Sequence, residues 1–153
     1  MNHLTKEKAS NLISVYDLPK FFVDVIYQKL KHPLDLHFSC PDLYYMTGEE
    51  QAAFNLGDII PLWSSHSGYL NYAYDMTNKD FITFDIEDGE ITERYSWNQL
   101  MKEVIDSMVE FEFDENENID TAITAVKDQL RDLRISNYDS IIDEVQREYA
   151  KSP

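Results

Sequence analysis

Apolar positions fall along this chain in two rhythms, and the switch between them points to a mixed fold. Residues 5–31 read as helical. Asp17 is placed to cap a second segment, with Pro19 in its first turn, where a missing N–H costs nothing. After it, Phe21, Phe22, Val25, Ile26 and Leu30 recur at helical spacing and make one apolar face. His32-Pro33 ends the segment, because the residue before a proline is pushed out of the α region. Leu34 to Met46 is mixed, with His37, Cys40 and Pro41 interrupting a short extended run. Thr47-Gly48-Glu49-Glu50 has the spacing of a capping box and predicts a short helix through Phe54. Asn55-Leu56-Gly57-Asp58 would close it, with Gly57 near the C′ position.

The period then drops to two. Ile59-Ile60-Pro61-Leu62-Trp63 predicts a short strand that Pro61 restricts to an edge or a bulge. Ser64 to Gly68 reads as a turn, Tyr69 to Asp75 as an aromatic strand, and Thr77 to Asp80 as the next turn. Phe81 to Glu87 alternates, so Ile82, Phe84 and Ile86 share one face while Asp85 and Glu87 lie on the polar one. Asp88-Gly89 signals a hairpin, and Glu90 to Tyr95 makes the return strand.

Helical spacing returns at Ser96-Trp97-Asn98-Gln99, a second capping-box pattern. Trp97, Leu100, Met101, Val104, Ile105, Met108 and Phe111 form the stripe to be buried, with Lys102, Glu103, Asp106 and Glu110 facing outward. Asp114 to Asn118 reads as a polar connector. Ile119, Ala122, Ile123, Val126, Leu130 and Leu133 predict a further helix, and Tyr138, Ile141, Ile142, Val145 and Tyr149 a last one. The expected fold is α+β: a central antiparallel β-meander packed against several helices. Residues 1–153 read as one domain, with 118–150 as a helical C-terminal extension.

Composition narrows the setting. The 153 residues are 43% hydrophobic, enough for a buried core. No apolar run is long enough to span a bilayer, and the N-terminus lacks the apolar stretch of a signal peptide. A lone cysteine, Cys40, has no partner for an internal disulfide and reads as a buried thiol in a reducing compartment, so a cytoplasmic location is expected.

Charge changes the picture more. The net charge of −16 repels phosphates, which argues against direct contact with nucleic acid or an anionic membrane and suits a basic protein partner. Thirteen acids lie between Asp85 and Asp120, opposed only by Arg94 and Lys102, whereas the first forty residues are nearly balanced. A one-signed field on part of a domain is a binding signal.

Little else points to chemistry. Asp114-Glu115-Asn116-Glu117-Asn118 imitates the start of a calcium loop, but Ile119 stands where that loop needs glycine and Ala125 where it needs a bidentate glutamate. The histidines His3, His32, His37 and His66 have no zinc-site spacing, and His37 with Cys40 lacks a second pair. Ser64-Ser65-His66-Ser67-Gly68 lacks the nucleophile-elbow pattern. With four glycines in the chain, neither a P-loop nor a dinucleotide fingerprint is present. No catalytic residue, metal or cofactor is expected.

The order Ile60-Pro61-Leu62-Trp63, Tyr72-Ala73-Tyr74-Asp75, Phe81-Ile82-Thr83-Phe84-Asp85-Ile86-Glu87 and Ser96-Trp97-Asn98-Gln99-Leu100 resembles the SMI1/KNR4 (SUKH) superfamily. That resemblance is confined to residues 60–100. It implies a mixed fold around an antiparallel sheet, and a bacterial immunity role in which the protein binds and neutralises a cognate toxin, often a nuclease. The expected partner surface is Asp85, Glu87, Asp88, Glu90 and Glu93, joined by Glu110, Glu112 and Asp114, with Trp63, Tyr72 or Tyr74 as the desolvated anchor. The competing readings are a regulatory or scaffold domain of the same superfamily, a small enzyme with an unrecognised site, and a nucleic-acid mimic.

Overall fold

The computed structural model describes residues 3–54, 57–65 and 69–151. The chain forms two compact units, Met1–Ser96 and Trp97–Pro153.

The first unit begins with α1 (Lys6–Val15), capped by the Thr5 hydroxyl, which accepts the Lys8 N–H at 3.2 Å. Helix α2 (Phe21–Ile26) buries Phe21, Phe22, Val25 and Ile26, the apolar face expected from their spacing. The two helix ends differ from expectation. Asp17 caps nothing; it sits past the end of α1 at φ 53°. There the Asp17 N–H donates to Ser14 and the Leu18 N–H to Ile13, the paired bonds of a Schellman stop. Gln28, at φ 57°, ends α2 the same way, with its N–H on Val25 and that of Lys29 on Asp24. The helix therefore stops well before His32-Pro33.

The run read as interrupted and extended is mostly helical turns. A short α3 (Leu34–His37) precedes Ser39, which makes an isolated bridge to Ser64, and a 3-10 turn covers Asp42–Tyr45. Helix α4 (Gly48–Ala52) has the expected capping box: the Thr47 hydroxyl accepts the Glu50 N–H at 3.2 Å, and the Glu50 carboxylate accepts the Thr47 N–H at 3.0 Å. Of the segment expected to close it, Asn55 and Leu56 lie outside the described residues; Gly57 has φ 82°.

Four antiparallel strands follow in the order β1-β2-β3-β4: β1 (Ile59–Ser64), β2 (Leu70–Asp75), β3 (Asp80–Asp85) and β4 (Ile91–Tyr95). This is the expected meander. Strand β1 is an edge and its register slips between Pro61 and Trp63, so both consequences expected of Pro61 occur together. Of the turn expected at Ser64–Gly68, residues 66–68 lie outside the described set.

One sheet face carries Ile59, Ala73, Ile82 and Phe84, packed with Leu43 and flanked by Met46, Phe54 and Ile86. On the other face Trp63 lies between Phe22 and Tyr72, with ring centroids 5.6 and 4.3 Å away and planes nearly parallel. Strand β3 thus departs from a half-solvated alternation, because Phe81 and Thr83 are buried as fully as Ile82 and Phe84. Phe81 meets the Tyr74 ring edge-on at 5.2 Å, and the Thr83 hydroxyl pairs with that of Thr92 at 2.7 Å.

The second unit contains α5 (Trp97–Asn116), α6 (Ile119–Asp132) and α7 (Asp139–Lys151). Leu100, Met101, Val104, Ile105 and Met108 are buried as expected, together with Val109; Trp97 and Phe111 are only half-buried. The expected connector at Asp114–Asn118 is largely the last turn of α5. Only Glu117, at φ 55°, and Asn118 separate the helices, and the Asn118 side chain caps α6 by accepting the Thr121 N–H at 3.0 Å. Among the described residues, no helix is long and apolar enough to cross a membrane.

Candidate functional site

The turn from β3 to β4 is built by its own carboxylates. Asp85 Oδ1 accepts the Glu87 N–H at 2.8 Å, and Asp88 Oδ1 accepts the Glu90 N–H at 2.9 Å. Backbone bonds from Gly89 to the Asp85 carbonyl and from Asp85 to the Glu90 carbonyl close the loop. Gly89 adopts φ 70° against Phe54; a Cβ there would stand 2.9 Å from the Phe54 ring. This close approach clamps the hairpin end onto the segment after α4.

Held in this way, Glu87, Asp88, Glu90 and Glu93 are exposed and Asp85 is half-buried. Glu87 lies in the turn, beyond the last residue of β3, and not on the strand's polar face as expected. Among the described residues none of these five carboxylates has a cation within ion-pair distance. Arg94, the one cation on β4, is turned elsewhere: its Nη1 lies 3.0 Å from both Asp75 and Asp80.

The neighbouring Asp75 is a structural carboxylate. Its oxygens accept the Thr77 and Asn78 N–H groups, the Asn78 side-chain amide and the Arg94 guanidinium. Burial alone would push its carboxyl up; the bonds from Asn78, Arg94 and Thr77 outweigh burial and hold it below the ordinary carboxylate value.

The anchoring aromatics expected from the sequence are mostly interior. Trp63 and Tyr74 are 3% and 8% exposed and Tyr72 is half-buried, so Trp63 and Tyr74 do not stand on the surface as anchors. The reason is packing: Trp63 is stacked between rings, and Tyr74 meets Tyr16 as well as Phe81. At the start of β2 it is Tyr69 that is exposed, at 55%. Its carbonyl accepts the Ile86 N–H at 2.9 Å, and Leu70 pairs with Asp85. An aromatic ring and the carboxylate turn therefore occupy the same end of the sheet. The cue lay in the place of Tyr69 at the junction of turn and strand, one residue before β2 begins.

In the second unit Glu110 and Asp114 are exposed. Glu112 is half-buried and structural: Oε1 accepts the Gln129 amide at 2.8 Å and Oε2 that of Asn116 at 3.3 Å. Lys102 is held between Asp106 at 2.8 Å and Glu148 at 3.2 Å.

Of the groups considered for catalysis, Cys40 is buried and His66 lies outside the described residues. Burial pushes the Cys40 thiol up, against smaller opposing effects from the Tyr45 hydroxyl and the Lys6 ammonium, so it stays protonated at neutral pH. A protonated, buried thiol is a poor nucleophile. Among the described residues no three His, Cys, Asp or Glu side chains converge as a metal site would require.

Fold and site together define an acidic α+β protein whose meander presents a carboxylate turn and an exposed tyrosine at one sheet end. Compared with family models, with curated proteins and with solved structures, the chain finds no match.

Proposed function

We propose that this is a cytoplasmic binding protein that engages a basic protein partner through the Tyr69 and Asp85–Glu93 end of its sheet. The observation that carries this reading is the set of exposed, unneutralised carboxylates Glu87, Asp88, Glu90 and Glu93 beside an exposed tyrosine. Fixed charges of one sign raise the association rate of a complementary partner by about 10- to 1000-fold. They contribute less to holding the complex, which needs a desolvated anchor. Tyr69 supplies that ring, in the role that the sequence suggested for Trp63, Tyr72 or Tyr74.

The resemblance of residues 60–100 to the SMI1/KNR4 superfamily favours a toxin as the partner. A nuclease toxin is a fitting one, because it must carry cations for its phosphate substrate, and an acidic protein covers that surface by charge complementarity. Neutralisation by binding requires no catalysis and no cofactor.

The test is affinity capture from the native host, at low and high salt, with the wild type and with the variant E87K/E90K/E93K. The expected result is a basic partner that is lost as ionic strength rises and is lost by the variant, whose circular dichroism stays that of the wild type. A partner retained regardless of salt and of the triple reversal contradicts the reading. A toxin gene beside this one supports immunity over a regulatory role.

A further inference from the structure

We propose that a cavity in the Met1–Ser96 unit binds a small zwitterion with an apolar side chain, a molecule of the free α-amino acid class. The cavity has a volume of about 440 Å3, within the range of small-ligand pockets. It lies at the sheet end opposite Tyr69: Asp58 leads into β1, Met76 follows β2, and Lys8, Asn11 and Leu12 come from α1. This inference is independent of the acidic hairpin.

Its lining carries both charges. The Lys8 ammonium donates to the His3 carbonyl at 3.1 Å, which positions it and leaves two N–H groups for an incoming carboxylate. The backbone of Asp58 is pinned by its carbonyl, which accepts the Met76 N–H at 2.9 Å, while its carboxylate has no cation partner among the described residues. Lys8 and Asp58 line one cavity without forming an ion pair with each other. A molecule bearing both a carboxylate and an ammonium pairs with the two at once, whereas a singly charged one pairs with one and leaves the other to solvent. Half-buried Leu12 and Met76 add apolar wall for its side chain, and the Asn11 amide adds a donor and an acceptor.

The test follows backbone amides of the full chain by NMR during titration with L-phenylalanine and L-methionine. Saturable shifts at Leu12 and Met76 are expected. Phenethylamine and 3-phenylpropionate, each lacking one charge, are expected to bind at least about tenfold more weakly, as are the amino acids to Lys8→Met and Asp58→Asn, a loss of roughly 1.4 kcal/mol in each case. Both substitutions are at exposed positions, and unchanged spectra away from the cavity verify the fold. The proposal is overturned if neither amino acid gives saturable shifts. Equal binding of the singly charged analogues, or undiminished binding by both variants, overturns it too.

Discussion

At Asp75 a single carboxylate closes the β2–β3 turn and ties down the edge strand β4 through Arg94. Its folded-state carboxyl is held below the ordinary value, despite burial, by Asn78, Arg94 and Thr77. The stabilisation it provides is therefore complete above the unfolded value of about 3.9 and is lost as pH falls through the lower folded value. Asp75→Asn is expected to lower stability by about 1–3 kcal/mol at pH 7. Urea denaturation at pH 7 and at pH 3 checks this: the gap between variant and wild type should narrow at the lower pH, and a constant gap would exclude the carboxylate as its source. Gly89 is the second critical residue. Ala there must hold a left-handed backbone and push on Phe54 at 2.9 Å, so Gly89→Ala should cost roughly 1–3 kcal/mol by the same assay. The Asp88-Gly89 turn was legible because its chemistry is local. The bonds of Asp75 were not, since Arg94 is distant in sequence and only the strand register brings it across.

Among the elements, those whose signals are local and redundant follow the sequence most closely. The capping box at Thr47–Glu50, the two helical stripes after residue 118 and the order and pairing of the four strands follow residue type and period. Helix ends were obscured by the scarcity of glycine. Four helices stop at non-glycine residues in the left-handed region: Asp17, Gln28 and Arg134, each with the paired backbone bonds of a Schellman stop, and Glu117, whose N–H donates to the Phe113 carbonyl. With no glycine to mark them, Asp17 reads as a cap and α2 reads as running on to Pro33. These stops imply stored backbone strain, so Gln28→Gly should stabilise the protein by about 0.5–1 kcal/mol, the left-handed penalty relieved less the entropy that glycine adds to the unfolded chain. A loss of stability in thermal or urea unfolding would contradict the assignment. The aromatics depart from expectation for a different reason. Period two tells which residues share a face, but both faces near Trp63 are covered, so parity cannot separate core from surface.

Over the whole molecule the outstanding property is charge, and its placement matters more than its sum. A small part of it is neutralised locally: Arg94 answers Asp75 and Asp80, Lys102 answers Asp106 and Glu148, and Arg131 lies 3.2 Å from Asp128. The turn from Asp85 to Glu90 and Glu93 on β4 have no such partner among the described residues, which is why the binding proposal rests there and not on the net charge of −16. That acids crowd residues 85–120 was plain from the sequence; which of them are structural was not, because Glu112 bonds Gln129 only once α5 and α6 pack. Residue-by-residue mapping of surface potential, from the relaxation of amide protons by cationic and anionic nitroxides, locates this field. The cationic probe should be enriched most strongly, relative to the anionic one, at residues 85–93, and raising salt should remove the difference. A potential no more negative at 85–93 than over the first forty residues would contradict the binding proposal.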